Sequence, residues 1–206
     1  MSILKLDNGI VRTAKRQSTM IESTVTDETD IPVKETPKHL YQYACAMLPV
    51  SEEVATIVKY WVKKNINTDD LYVNEEEGIE GFVNDPHVTL KYGIIDDSID
   101  KITDLIEGFG DVKIKLGKVE RFDTNPKFDV LKIHIEGESL QKLHDILSEK
   151  GDGDQFPEYK PHLTLAYIQK GKCEELIDND FFDKLDDSIN QVLFASKDGT
   201  ETYIDL

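Results

Sequence analysis

The sequence predicts an α+β fold made of two pseudo-symmetric βαβ-type lobes whose antiparallel sheets line a central cleft. Two observations support this prediction. Hydrophobic periodicity alternates between strand and helix patterns in the order strand, helix, strand, helix, strand, and this order runs twice between residues 39 and 206. A seven-residue frame that contains a histidine also occurs once in each half, 75 residues apart. An internal duplication accounts for both observations.

Five elements are predicted in the first half. In order, they are a strand at residues 41–48, a helix after Ser51, a strand at 87–94, a helix after Ser98 and a strand that begins at Val112. Ser51 is a favourable N-cap, and the two glutamates after it stabilise the first helical turn through the helix dipole. The apolar residues of this helix share one face, so Trp61 among them is predicted to lie in the core.

The second half repeats this order. It contains a strand at residues 130–136, a helix at 138–150, a loop at 151–157, a strand at 161–168, a helix at 173–185 and a terminal hairpin that turns at 197–199. The loop contains Asp152-Gly153-Asp154, which resembles a fragment of a calcium-binding loop, but the other ligand positions of such a loop are absent. We interpret it as a solvated turn and predict no metal site.

Residues 1–38 differ from the rest of the chain. They are rich in Ser and Thr, contain Pro32 and Pro37, and have no sustained apolar periodicity. Such a segment cannot bury enough apolar surface to offset its ordering entropy. The chain is therefore divided into a flexible N-terminal leader (1–38) and a folded domain (39–206). An alternative interpretation of the leader is an arm that contacts a partner or another copy of the chain.

Composition limits the classes of function. Asp and Glu number 41 against 24 Lys and Arg, which gives a net charge of −17, and residues 39–206 carry all of it. This field disfavours binding of a long nucleic acid but permits a local pocket for a small phosphate ester. No apolar run has the length of a membrane span or a signal peptide, and Cys45 and Cys173 have no metal or redox spacing. These features predict a soluble, cytoplasmic protein without membrane contacts.

The repeated frame contains a histidine and a threonine. It is Pro86-His87-Val88-Thr89-Leu90-Lys91-Tyr92 in the first half and Pro161-His162-Leu163-Thr164-Leu165-Ala166-Tyr167 in the second. Because side chains alternate along a strand, His87 and Thr89 share one face, and so do His162 and Thr164. If the halves pack about a pseudo-twofold axis, these four side chains meet across one cleft.

Two imidazoles and two hydroxyls around one cleft suit phosphodiester cleavage. One histidine can take a proton from the nucleophile, which is water or a ribose 2′-hydroxyl, while the other protonates the departing oxygen. The threonine hydroxyls can donate hydrogen bonds to non-bridging phosphate oxygens. This chemistry calls for no cofactor. The symmetry of the frame leaves open which histidine is the base.

The paired frame resembles the His-x-Thr-x motifs of the two-histidine (2H) phosphoesterase superfamily, over roughly residues 40–206. The resemblance implies that His87, Thr89, His162 and Thr164 are the active-site positions. The superfamily includes 2′-5′ RNA ligase-like proteins, RNA 2′,3′-cyclic phosphodiesterases and phage anti-CBASS phosphodiesterases, which destroy cyclic oligonucleotide alarm signals. The acidic charge favours a small nucleotide, and so favours the last branch, which would act in the host cytoplasm.

We therefore expect a metal-independent phosphodiesterase that cleaves a small nucleotide, with a cyclic oligonucleotide second messenger as the favoured substrate. One alternative is an RNA 2′,3′-cyclic phosphodiesterase that processes RNA ends. Another is a non-catalytic nucleotide-binding or virion-associated protein with a vestigial cleft. The two intact motifs favour an enzyme over this last alternative.

Simple alternation extends the site prediction to neighbouring residues. Lys91 follows Thr89 by two positions, so it is expected on the same face, where a lysine suits phosphate, although Ala166 has the equivalent place in the second half. Tyr92 and Tyr167 are expected to face away from the histidines and pack in the core. The remaining histidines are interpreted as structural: His39, His134 and His144.

Overall fold

The computed structural model of the chain describes residues 41–150 and 158–206. The predicted leader, His39 and the predicted loop at 151–157 with its Asp152-Gly153-Asp154 turn lie outside the described residues. In the described ranges, the elements follow the predicted order throughout the first half and depart from it twice in the second, where a predicted helix is absent and residues 186–189 form a strand that was not predicted.

One antiparallel sheet of eight strands dominates the described part of the chain. The strands are β1 (Ala44–Pro49), β2 (His87–Ile94), β3 (Val112–Phe122), β4 (Phe128–Glu136), β5 (His162–Gln169), β6 (Asp186–Ile189), β7 (Gln191–Ala195) and β8 (Glu201–Asp205). Their order across the sheet is β6-β3-β4-β5-β2-β1-β7-β8. Three helices accompany the sheet: α1 (Glu52–Asn65), α2 (Ile99–Ile106) and α3 (Leu140–Ser148). The predicted α+β class is confirmed.

The helices enclose the core against one side of the sheet. Ser51 caps α1 as predicted, since its hydroxyl accepts a hydrogen bond from the backbone N–H of Val54 at 3.3 Å. Buried residues of all three helices form one apolar cluster with buried strand residues, and Trp61 lies in this cluster. Helix α1 packs against β5 and α3 against β2. None of the described helices has the length and apolar composition of a membrane span.

The two halves of the sequence meet at the centre of the sheet, where Val88 of β2 pairs with Leu163 of β5. Strand β3 belongs to the first half of the sequence but pairs with β4 of the second half. In the same way, β7 comes from the second half and pairs with β1. The predicted lobes are thus two parts of one continuous sheet that exchange outer strands, and this arrangement sets the duplicated strands β2 and β5 side by side.

The helix predicted at residues 173–185 is wrong. Only one turn of 3₁₀ helix, Glu174–Leu176, is present there, and Cys173 and Asp178 on either side have left-handed φ angles of 57° and 62°. Beyond this turn the backbone bonds to β3, where the N–H of Asp178 donates to the carbonyl of Val119 at 2.9 Å. Hydrogen bonds to β3 therefore replace those of a helix. The terminal hairpin is formed by β7 and β8, as predicted.

Candidate active site

Strands β2 and β5 both begin at the histidine of the repeated frame. In both strands the histidine and threonine are half-buried, while the leucine or valine between them and the leucine after them are fully buried. The fully buried residues point to the side of the sheet that the helices cover. We call the opposite side, which carries His87 and His162, the histidine face.

The pairing of Val88 with Leu163 brings the two motifs together. Because β2 and β5 are antiparallel, this register places His87 beside Thr164 and Thr89 beside His162. Neighbours of this kind on one face of a sheet have Cβ atoms about 4.5–5.5 Å apart. Both imidazoles and both hydroxyls therefore surround one position on the histidine face.

Both imidazoles are oriented by the same kind of backbone contact. Nδ1 of His87 lies 2.8 Å from the carbonyl oxygen of Asp85, and Nδ1 of His162 lies 2.8 Å from the carbonyl oxygen of Lys160. A carbonyl oxygen only accepts hydrogen bonds, so Nδ1 carries a proton in each ring. Nε2 is then the nitrogen available for proton transfer, as a base in the neutral ring and as an acid in the charged one.

A β-bulge in β2 reverses the side-chain alternation after the motif threonine. Met47 of β1 opposes Thr89 and Ala46 opposes Lys91, which leaves Leu90 as the extra residue. Lys91 consequently lies with Ala46 on the helix side and is only 7% exposed. The prediction that Lys91 lies on the histidine face is therefore wrong.

The same bulge, which recurs in β5 at the equivalent leucine, brings one tyrosine of each motif to the histidine face. Tyr92 opposes Cys45, which lies on the same side of β1 as Met47, the residue that opposes Thr89. The side chain of Tyr92 is 46% exposed. The ring of Tyr92 meets Tyr43 edge-on at 5.8 Å, and that of Tyr167 meets Phe128 edge-on at 5.4 Å. The prediction that both tyrosines face away from the histidines is wrong, because regular alternation does not anticipate a bulge.

Strand β4 supplies charged and ionisable neighbours to the second motif. Thr164 opposes Lys132, and His162 opposes His134. Lys132 is 4% exposed and forms an ion pair with Glu120 of β3. His134, interpreted from the sequence as structural, thus lies on the histidine face. Lys132 and His134 are two residues apart and therefore share one face of a strand, but the sequence contains no signal that this face continues that of β5.

The first motif has different neighbours at the equivalent positions. Thr89 opposes Met47, and His87 opposes Pro49. The pseudo-symmetry of the motifs therefore ends at the next strand, since an apolar thioether and a proline occupy the places that a lysine and a histidine occupy in the second half.

The surroundings lower the pKa of His162. Burial is the largest cause, because it disfavours the charged imidazolium, and the positive charges of Lys132 and His87 act in the same direction. A backbone hydrogen bond and the carboxylate of Glu120 oppose these effects. Phe122 also contacts the imidazole edge-on, with ring centres 4.9 Å apart. His162 therefore stays neutral to a lower pH than an ordinary histidine.

Two aromatic side chains secure the bulge in β2. Nδ1 of His144 lies 2.6 Å from the carbonyl oxygen of Leu90, and the hydroxyl of Tyr159 donates to the carbonyl oxygen of Thr89 at 3.2 Å. The two rings are stacked, with centres 4.2 Å apart and planes 9° from parallel. His144 therefore has a structural role, as the sequence predicted.

The described residues around the motifs are suited to proton transfer and phosphate binding. Within residues 41–150 and 158–206, no group of three His, Cys, Asp or Glu side chains is placed to hold a metal ion. Glu120 is engaged by Lys132. The arrangement can hold a phosphate between two hydroxyls and pass protons through two imidazoles.

Comparisons with known proteins agree with this arrangement. A family model described as the 2′-5′ RNA ligase superfamily matches residues 82–190, more than half of the chain. No curated protein matches the chain significantly. Among solved structures, Usb1 of Kluyveromyces marxianus is similar at a TM-score of 0.55 and 11% identity, covering 81% of this chain and 99% of its own. LigT of E. coli complexed with 3′-AMP gives 0.54 and 14%, covering 81% and 95%. TT0787 of Thermus thermophilus gives 0.52 and 16%, covering 80% and 95%. At these identities, the structural likenesses establish the fold.

Proposed function

The chain belongs to the 2′-5′ RNA ligase superfamily of two-histidine phosphoesterases. We propose that it is a metal-independent phosphodiesterase that binds a small oligonucleotide with its phosphate between His87 and His162 and cleaves it there. The observation that carries the proposal is the pairing of β2 with β5, which sets each motif histidine beside the threonine of the other motif. Both threonine hydroxyls can then hold one phosphate while both Nε2 atoms flank it.

The proposed reaction is an in-line displacement at phosphorus. One neutral imidazole takes the proton of the attacking hydroxyl or water at Nε2, and the new P–O bond forms as the bond to the leaving oxygen breaks. The other imidazole, charged at the start, gives its Nε2 proton to that leaving oxygen. The fixed Nδ1–H contacts to the carbonyls of Asp85 and Lys160 suit both roles, because Nδ1 is protonated in each.

Aromatic side chains on both sides of the motifs favour a phosphodiester with a nucleoside on each side. Tyr92 and Tyr167 lie five residues beyond their histidines on antiparallel strands, so they lie in opposite directions from the site. Stacking of a base on an aromatic side chain contributes about 1–3 kcal/mol. A cyclic mononucleotide has one base and can use one of these platforms, whereas an oligonucleotide can use both.

Within this class we propose a cyclic oligonucleotide second messenger as the substrate, and immune evasion of the anti-CBASS kind as the role. The net charge of −17 supports a small substrate over long RNA, because a small ligand requires positive potential only locally. A second candidate is RNA-end processing at a 2′,3′-cyclic phosphate, which is favoured by the structural likeness to E. coli LigT, a protein that binds 3′-AMP.

A substrate panel tests the proposal. Cyclic di- and trinucleotides, linear dinucleotides with 3′-5′ or 2′-5′ linkages and 2′,3′-cyclic mononucleotides are incubated with the full chain and excess EDTA, and products are separated by chromatography. We expect cyclic oligonucleotides to be cleaved with a kcat/KM about 5–150-fold above that of cyclic mononucleotides, the equivalent of one more stacked base. Tyr92→Leu should remove much of this preference without abolishing cleavage of cyclic mononucleotides.

Other outcomes overturn specific parts of the proposal. Preferred cleavage of 2′,3′-cyclic ends would assign the chain to RNA-end processing. Binding without turnover would indicate a non-catalytic nucleotide-binding or virion-associated protein. Loss of activity in EDTA that a divalent metal restores would overturn the metal-independent mechanism.

A further inference from the structure

The two motifs are equal in sequence but unequal in their electrostatic surroundings. Thr164 opposes Lys132, whereas Thr89 opposes Met47 at the position that corresponds by pseudo-symmetry. A fixed positive charge therefore lies next to one motif, and an uncharged side chain lies at the same place next to the other.

Lys132 is buried next to the second motif, where its charge can act on the imidazole of His162. Its side chain is 5% exposed and is engaged by the carboxylate of Glu120, which is itself 45% exposed. Its ammonium lies 4.4 Å from the centre of the Phe122 ring, and that ring contacts His162 edge-on. Lys132 is therefore fixed beside His162 by an ion pair and a cation–π contact.

We propose that Lys132 and Glu120 are positioning residues that make the two histidines unequal, so that His162 is the general base and His87 is the general acid. This inference rests on the proposed phosphodiesterase activity. The proton of the nucleophile moves to Nε2 of His162 as the new P–O bond forms. The proton on Nε2 of His87 moves to the leaving oxygen as its bond to phosphorus breaks, so each turnover exchanges the protonation states of the two rings and solvent restores them.

The charged and titratable groups that face His162 come from several elements. They are Lys132 and His134 on β4, Glu120 on β3 and His87 on β2, while Glu158 and Lys160 precede His162 in the segment before β5. Glu158 and Lys160 pair with each other at 3.1 Å and are mostly exposed, so solvent screens their effect. Lys132 and Glu120 carry opposite charges and are closer to the buried part of the site, so removing either one should move the titration of His162 in a predictable direction.

Titration of the histidines by NMR tests the inference without any substrate. Lys132→Met copies the residue that the first motif has at this place, and should raise the pKa of His162 because a positive charge is lost. Glu120→Gln should lower the pKa of His162 further, because the lysine charge is then uncompensated. Met47→Lys is the matched variant in the first half and should leave the pKa of His162 nearly unchanged. Lys132→Arg keeps the positive charge and should leave the pKa of His162 close to that of the wild-type protein.

The pH profile of kcat/KM then assigns the roles. The acidic limb of the profile reports the group that must be neutral, so Lys132→Met should move this limb to higher pH. At a pH on this limb, kcat/KM of the variant should fall about tenfold for each pH unit by which the limb moves. The alkaline limb should stay in place. Movement of the alkaline limb instead would make His162 the acid and overturn the inference. The inference would also be overturned if Lys132→Met and Glu120→Gln moved the pKa of His162 in the same direction, because that result would indicate a general structural effect.

The two experiments separate this inference from the proposed function. If wild-type protein cleaves no phosphodiester but the NMR shifts have the expected opposite signs, the proposed function fails and the electrostatic inequality remains. If the wild-type protein is active but the pKa of His162 is indifferent to all of these variants, the inference fails and the proposed function remains. Thermal melting of each variant excludes loss of folding as the cause.

Discussion

Replacement of the two motif histidines by asparagine is expected to show that they act as one catalytic unit. Asparagine is chosen because its side-chain amide can still donate to the carbonyl of Asp85 or Lys160, as Nδ1 does now, while Nε2 is removed. A general acid or base contributes about 10²–10⁴-fold, so His87→Asn and His162→Asn should each lose kcat by that factor. If the effects multiplied, the double variant would lose about 10⁴–10⁸-fold.

We expect the double variant to be little slower than either single variant. Both proposed proton transfers serve one displacement, and the register around Val88 and Leu163 brings both rings to one position on the histidine face, so losing one partner should remove most of what the other contributes. Single-turnover cleavage of a labelled cyclic dinucleotide measures the rates, while calorimetry and thermal melting report binding and folding. A near-wild-type rate in either single variant, or a fully multiplicative loss in the double one, would refute the paired mechanism.

Three further predictions concern the phosphate contacts, the fold and the leader. Thr89→Val and Thr164→Val should each lower kcat/KM by about 10²-fold, the scale for one donor to a developing oxyanion, and should retain a bell-shaped pH profile in steady-state assays. Burial alone would raise the pKa of Asp129, but hydrogen bonds from the Lys170 ammonium and the backbone N–H of Gly171 outweigh burial and hold that pKa below its ordinary value. The stability gained is therefore complete above the ordinary aspartate pKa and is lost as pH falls through the lowered one. Asp129→Asn should cost about 1.5–3 kcal/mol in urea unfolding at pH 7, and an equal loss at pH 2 would contradict this assignment. Deletion of residues 1–38 should leave a folded, active protein with a cooperative melt, because the segment has no apolar stripe to pack, and an insoluble product would place the leader inside the fold.

Local pattern was sufficient for most elements and for the centre of the site. Strand β2 spans residues 87–94 as predicted, and the predicted N-cap at Ser51 makes its hydrogen bond. These features depend on side-chain periodicity and on contacts within a few residues, which a sequence contains directly. The duplicated frame also indicated that His87 and His162 lie in one site, since the same seven-residue pattern around two of five histidines is hard to explain by chance.

Long-range pairing decided the features that the sequence could not. Residues 173–185 were predicted as a helix, but their hydrogen bonds to β3 around Val119 are available only in the folded sheet. The bulge at Leu90, which His144 and Tyr159 secure from distant parts of the chain, moved Lys91 away from the histidines and Tyr92 toward them.

The sequence by itself therefore determined which side chains form the candidate site, because the frame repeats and a strand alternates. The tertiary structure decided how those side chains differ. Which strand lies beside each motif depends on the exchange of strands between the two halves and on the register that buries the most apolar surface. That register sets Lys132 beside Thr164 and Met47 beside Thr89, so two motifs with the same residues acquire different electrostatic surroundings.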